Sequence, residues 1–349
     1  MGKRARYSAP VRTEDFHSLE SAHPYGLKPE GNRLLLDENR APTSLPWNDA
    51  AWYHILSFAD APTLGKLVQV NKYFYVLGHQ PEFWRDLTIR RMQGQTIEHL
   101  AEPTWKDSYI RMFHAASYNK PHSPMAVHGV YSDYLYRLHS CRSFCIPEAW
   151  LGNEADTLPK VPHSITAQQF FAEYEEPNQP LIIQGGAKSW PAFEKWRDPS
   201  YCMQQTKGRS FRATSGLAPL PVQFSLQAYY NYGKMPLLEE APVYLFDRTA
   251  LAPHSTLWND FHPALCRTMK FWDPQQPEHD LLQYLGEGAR PDHTWWIVGP
   301  RRSGSVFHID PNATHAFNAA ICGRKRWIFY VSGGDERKIA ARLYHHSSR

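Results

Sequence analysis

The chain changes hydrophobic period near residue 160, and a single layer of secondary structure cannot satisfy both halves. From Leu45 to about residue 150 apolar residues recur every three or four positions, the period of helices that each bury one stripe. From about residue 161 short apolar runs take over. One is Pro180-Leu181-Ile182-Ile183-Gln184, closed by Gly185-Gly186. Runs of that length between Gly, Pro and Asn turns read as strands of a sandwich or jelly roll. A chain of 349 residues has room for two domains. The expected fold class is α+β, a small helical domain followed by a β-rich one.

Residues 1–42 mix charge, Pro, Gly and Ser without a period and read as a flexible leader. Within 43–92, Ile55, Leu56 and Phe58 close one short apolar helix face, and Asp60-Ala61-Pro62 punctuates. Leu64, Leu67, Val68, Asn71, Phe74 and Tyr75 follow at helical spacing, and Pro81-Glu82-Phe83-Trp84 opens a third helix. Residues 93–150 continue as an amphipathic helical linker. In 151–349, Ile165-Thr166 opens a short helix reaching Phe171, and further strands are expected at 243–246, 294–298, 305–309, 316–321 and 326–331. Charged residues around Ile339, Ala340 and Leu343 read as a short helix.

Five cysteines, Cys141, Cys145, Cys202, Cys266 and Cys322, are an odd number spread widely, which argues against a disulfide framework and for a reducing compartment. His139-x-Cys141-x3-Cys145 has a faint zinc spacing but no fourth ligand. No apolar run approaches the roughly 20 residues of a membrane span, and no signal-peptide core opens the chain. A soluble intracellular protein is expected. The basic start Lys3-Arg4-Ala5-Arg6 leans towards the nucleus over the cytoplasm. A formal charge of +4 does not indicate nucleic acid.

The sharpest chemical signal is His308-Ile309-Asp310. Residues two apart on a strand project from the same face, so an imidazole and a carboxylate aim together. They make two-thirds of the two-histidine, one-carboxylate triad that holds ferrous iron with open positions. Lys325 stands before the apolar run Trp327-Ile328-Phe329-Tyr330. A buried lysine there needs a carboxylate partner; otherwise it is an edge-strand charge blocking aggregation.

Two resemblances bear on these readings. Leu45-Pro46, Ile55-Leu56-Ser57-Phe58, Val70-Asn71-Lys72-Tyr73-Phe74 and Phe83-Trp84-Arg85-Asp86-Leu87 closely resemble an F-box over about 45 residues, which implies docking to a Skp-type adaptor of a cullin ubiquitin ligase. Trp295-Trp296-Ile297-Val298-Gly299-Pro300, His308-Ile309-Asp310, Ala316-Phe317-Asn318-Ala319 and Gly323-Arg324-Lys325-Arg326-Trp327 are similar to the JmjC branch of the cupins, in particular its phosphatidylserine-receptor-like members. That resemblance covers roughly residues 145–331. It implies a double-stranded β-helix, Fe(II) bound by His308 and Asp310, and 2-oxoglutarate held by Lys325. Asn318, Tyr244 and Ser305 match polar positions of the same pocket. The implied activity is hydroxylation, or demethylation by hydroxylation, of a protein substrate, with a histone or another nuclear protein as one candidate.

The family's second histidine lies well downstream. After Asp310 the remaining histidines are His315, His345 and His346, none in a strand-like pattern, and none is read as a ligand. The expectation is a JmjC domain incomplete at its C-terminus. The alternative is an F-box adaptor with an inactive cupin-like domain that binds clients.

Overall fold

A computed structural model of the chain describes residues 27–31, 48–92, 104–117, 125–143, 158–214, 221–234, 242–268, 281–286, 288–305, 308–311, 314–329 and 342–345. The basic start and Cys145, with the side chains of His139 and Cys141, lie outside that description.

Strand β1 (Leu27–Gly31) runs parallel to a later strand. Helix α1 (Asp49–Leu56) starts at Asn48, whose side chain accepts from the Ala51 amide at 2.8 Å. Helix α2 (Ala61–Leu67) starts at Asp60, which accepts from the Thr63 amide at 2.9 Å and has Pro62 in the first turn. Helix α3 (Lys72–Gly78) is capped by Asn71, which accepts from the Phe74 amide at 2.9 Å. Helix α4 (Pro81–Met92) follows. The run from Leu64 to Tyr75, expected as one helix, is therefore two. Asn71 has extended backbone and its carboxamide serves a new helix start, so the first helix cannot pass through it.

Next come α5 (Trp105–Phe113), β2 (Met125–Tyr131), which pairs with β1, and α6 (Asp133–Ser143). Two expectations are corrected here. Leu27–Gly31, inside the expected flexible leader, is a strand, and so is Met125–Tyr131, inside the expected helical linker. The local sequence is unremarkable; the pairing forms them, helped by Glu30, whose carboxylate accepts from the Gly129 amide at 2.7 Å.

Beyond lie β3 (Lys160–Pro162), α7 (Ala167–Phe170) running into a π-helical turn Phe171–Glu175, β4 (Ile182–Gln184), α8 (Pro191–Lys195) and α9 (Pro199–Gln205). Then follow β5 (Phe211–Thr214), β6 (Val222–Phe224), α10 (Leu226–Lys234), β7 (Tyr244–Asp247), α11 (Thr256–Asn259), α12 (His262–Thr268) and β8 (Trp296–Val298). The last elements are β9 (Arg326–Phe329) and β10 (Arg342–His345). Helix α7 opens with a reciprocal capping box between Thr166 and Gln169. Among the described residues the strands form a four-stranded sheet, β6-β5-β7-β8, and the pairs β1-β2, β3-β4 and β9-β10. This is a mixed helix-and-strand architecture. No helix among the described residues is long and apolar enough to cross a membrane.

The chain packs into two units that interleave along the sequence. One comprises residues 1–146, 210–245 and 298–307; the other comprises 147–209, 246–297 and 308–349. In the first, Leu64, Tyr73, Val76, Leu77, Phe83 and Trp84 are buried between the short helices, and the Trp84 indole donates to the Gly78 carbonyl at 2.8 Å. Also in this unit, Trp105 of α5 stacks on Tyr232 of α10. The Tyr229 hydroxyl lies 2.8 Å from the Val298 carbonyl and 3.1 Å from that of Val243, and accepts from the Leu245 amide at 3.1 Å. In the second unit, Asp260 is almost fully buried and receives Lys195 Nζ at 2.6 Å, Tyr201 Oη at 2.7 Å and Trp196 Nε1 at 3.1 Å.

Helix α4 buries a charged pair, Arg85 and Asp86, with Arg85 Nε 3.3 Å from Asp86 Oδ1. Burial raises the Asp86 carboxyl to about 6, against the opposing pull of Arg85 and Arg90. The folded state therefore holds its proton more tightly than the unfolded chain between about pH 4 and pH 6. The resulting stabilisation is full below that window and is lost as pH rises through about 6. A shift of this size corresponds to on the order of 3 kcal/mol. Urea unfolding followed by circular dichroism at 222 nm should show stability falling from pH 4 to pH 6. Asp86→Asn, which keeps an acceptor for Arg85, should flatten that slope; an unchanged slope would contradict the assignment.

Candidate metal and co-substrate site

The approach to His308 runs through β8 and a tight turn. Gly299 follows Val298, and a Cβ there would collide with the Ser303 side chain, with Tyr244 Cβ a further 3.4 Å neighbour. Ser303 Oγ donates to the Pro300 carbonyl at 2.6 Å, and Arg302 has φ +70. The close approach and the left-handed residue fix how the chain leaves the sheet.

His308 Nε2 lies 3.3 Å from Asp310 Oδ1. Ile309 between them is 90% exposed. The two donor side chains converge as a two-residue spacing demands, yet residues 308–310 belong to no strand. Strands expected at 305–309 and 316–321 are likewise absent where these residues are described. An extended segment becomes a strand only when a neighbour closes its hydrogen-bond ladder, and none does so there among the described residues. The side chains are 51% and 44% exposed, open to a ligand from solvent. Among the described residues no three His, Cys, Asp or Glu side chains cluster as a metal site. His308 and Asp310 thus bring together an imidazole and a carboxylate, donor types that suit ferrous iron, and no third such side chain joins them among the described residues.

Lys325 precedes β9 and is partly buried. Desolvation lowers its ammonium to about 8, and no carboxylate among the described residues pairs with it. An unpaired, partly dehydrated cation is what a carboxylate ligand would satisfy. On β9 the rings of Trp327 and Phe329 stack 5.7 Å apart, two residues apart on one face. The partner strand is a correction. Arg342–His345, expected to continue a short helix through Leu343, pairs antiparallel with Arg326–Phe329, with His345 opposite Arg326. Cross-strand pairing outweighs weak local preference at such a position.

The remaining expected site residues divide between the units. Tyr244, buried on β7, shares a short hydroxyl–hydroxyl hydrogen bond with Ser305, and both belong to the first unit. Asn318 belongs to the second and is exposed. His315, read as no ligand, lies 3.7 Å from Glu175 of the π-helical turn. Sequence reasoning missed the Glu175 partner, the fork from Arg248 Nη1 to both Asp292 oxygens at 2.7 and 2.8 Å, and the Asp260 cluster. Each joins residues more than 40 positions apart, so no local pattern announces it.

Comparison with known proteins bears on the family rather than on these residues. Residues 167–223 match the family model of the cupin-like domain. The chain is 32% identical over 279 residues, 79% of its length, to the arginine-specific demethylase JMJ22 of Arabidopsis thaliana, of which it covers 50%. It is 30% identical over 176 residues, half of its length, to the bifunctional arginine demethylase and lysyl-hydroxylase psr-1 of Caenorhabditis briggsae, covering 41% of that protein. It is 24% identical over 194 residues to the 2-oxoglutarate and iron-dependent oxygenase JMJD4 of Danio rerio, covering 43% of it. The chain therefore spans half or less of the length of these relatives.

Desolvation makes Lys325 chemically distinguishable. Acetylation by a water-soluble ester, read peptide by peptide by mass spectrometry, should give Lys325 a pH–rate midpoint near 8, where the neutral amine is half populated. A midpoint at the ordinary lysine value would remove the argument that burial acts on this amine. Residues 167–223 thus carry a cupin-like sequence, and the chain resembles relatives named as arginine demethylases, a lysyl-hydroxylase and 2-oxoglutarate and iron-dependent oxygenases.

Proposed function

We propose that the chain belongs to an Fe(II)- and 2-oxoglutarate-dependent protein hydroxylase or demethylase, with residues 151–349 forming part of a double-stranded β-helix. The observation that carries the reading is the convergence of His308 Nε2 and Asp310 Oδ1 at 3.3 Å. His308 and Asp310 would hold the metal, and Lys325 would hold the distal carboxylate of 2-oxoglutarate. Bound iron supplies the oxidising chemistry. The chain's own residues do the rest: an imidazole and a carboxylate fix the ion, and the Lys325 ammonium orients the co-substrate by charge. Binding the dicarboxylate favours the protonated amine, so Lys325, lowered to about 8 when empty, rises on binding. The substrate is a protein side chain, as the names of the demethylase and lysyl-hydroxylase relatives suggest.

Thermal unfolding of the 349-residue chain tests this with Mn(II) as a redox-inert stand-in. Mn(II) with 2-oxoglutarate should raise the melting temperature, the stabilisation reaching about 2.7 kcal/mol at a hundredfold excess over the dissociation constant. His308→Ala should abolish the metal-dependent rise, whereas Lys325→Ala should remove only the increment due to 2-oxoglutarate. A rise that survives both His308→Ala and Asp310→Ala sinks the assignment.

A second reading concerns residues 43–92 and rests on a different observation. Ile55, Phe58 and Val70, in and between the short capped helices, are 41%, 76% and 63% exposed. We infer that this segment is an F-box whose outward apolar residues receive a Skp-type adaptor, since apolar anchors left in solvent serve helix-in-groove partners. Because Phe58 lies outside the core, Phe58→Asp should leave the melting temperature unchanged while weakening adaptor capture by roughly tenfold or more. Equal capture by Phe58→Asp and the unaltered chain would exclude this surface.

A further inference from the structure

The parallel pair β3-β4 ends in a cavity that the metal and co-substrate assignment does not use. Its volume is about 480 Å3, and His163, Gln184, Gly185, Lys188 and Ser189 line it. The register explains the gathering. Pro162 pairs with Gln184 at the C-terminal ends of both strands, so His163 leaves one strand where Gln184 and the turn after it leave the other. The turn is closed by the Lys188 amide donating to the Gly185 carbonyl at 3.1 Å. Gly185 has φ +77, a conformation that favours glycine, and a Cβ there would touch His163 Nδ1 at 3.7 Å. Behind the turn Trp190 is buried and its indole donates to Thr268 Oγ1 at 3.1 Å, so Lys188 and Ser189 hang from an anchored backbone.

The formal charge of the lining has one sign. Lys188 donates only, Ser189 and Gln184 each offer donors, and the imidazole of His163 offers an N–H. No carboxylate lines the cavity. Among the described residues none of these four side chains has a hydrogen-bond or ion-pair partner within the protein. Several donors around one cation, with no carboxylate beside them, match an oxyanion.

The geometry points to a small-oxyanion site at the end of β3-β4, separate from the co-substrate lysine, with Lys188 as the charged contact. Its ligand is a phosphate or a carboxylate group of a small molecule. Isothermal titration of the full chain with inorganic phosphate, and in parallel with acetate, tests it in low-salt buffer, where screening is weak. Saturable binding of either anion is expected, and which one binds more tightly tells the two sources apart. Lys188→Ala should weaken binding roughly tenfold or more, the order expected for one charge-assisted hydrogen bond. Gly185→Val should weaken it independently, by displacing the turn. Circular dichroism and melting temperature establish that each variant is folded. If neither anion gives saturable heat, or if binding is as tight in Lys188→Ala as in the unaltered chain, the site does not exist as described. This test uses no metal, so it stands or falls apart from the oxygenase assignment.

Discussion

The second unit depends on one buried carboxylate. Asp260 leaves water almost completely and, unpaired, would cost several kcal/mol. It is held by an ammonium, a phenol and an indole, at 2.6, 2.7 and 3.1 Å, while its own carbonyl accepts from the Ala192 amide at 2.9 Å. The hydrogen bond to Asp260 raises the Lys195 ammonium above its ordinary value, and burial first, then Asp260, raises the Tyr201 phenol. Both shifts favour the protonated, donating forms, so the cluster keeps its donors throughout the neutral range. Lys195 itself is 48% exposed, so its attraction is screened by solvent. The phenol and indole, which carry no charge, supply bonds that salt does not weaken.

What hangs from this carboxylate reaches the turn that lines the cavity at the end of β3-β4. Trp190 and Trp196 flank α8 and pack against Phe261, the residue after Asp260. Trp190 ends the turn that carries Lys188 and Ser189. Trp196 meets Trp296 edge-on at 6.2 Å, at the start of the strand that leads towards Gly299. The carboxylate orders the aromatic layer, and that layer anchors the turn that carries Lys188 and Ser189. Loops that carry chemistry are commonly held this way, by a scaffold whose energy lies elsewhere.

Legibility followed sequence distance. Asn48, Asp60 and Asn71 accept from backbone amides three residues on, so each helix start was written locally. Apolar spacing nonetheless continues across Asn71, and periodicity does not register a cap. The His308–Asp310 contact was legible from a two-residue spacing, although among the described residues no strand carries it. Side-chain alternation needs only extended backbone, whereas a strand needs a partner supplied from elsewhere in the chain. The same dependence hid β1, β2 and β10. The Asp260 cluster spans 59 to 65 positions, and nothing near Asp260 in sequence marks it as buried.

Lys325 and Lys188 show how burial separates two lysines of one unit. Lys325 is partly dehydrated and has lost part of its affinity for the proton. A bound carboxylate there returns the stabilisation that solvent no longer gives, and the pairing is strengthened by the same burial. Lys188 is exposed and keeps its hydration, so an anion at Lys188 gains less from charge alone and must rely on the convergence of His163, Gln184 and Ser189. The first arrangement suits a ligand that must be held in one orientation through a reaction, because a dehydrated charge pair is directional and costly to misalign. The second suits reversible capture of a small anion, where exchange with solvent is part of the equilibrium. Under the two proposed assignments, cations of equal formal charge would be fitted to different tasks by the water each one retains.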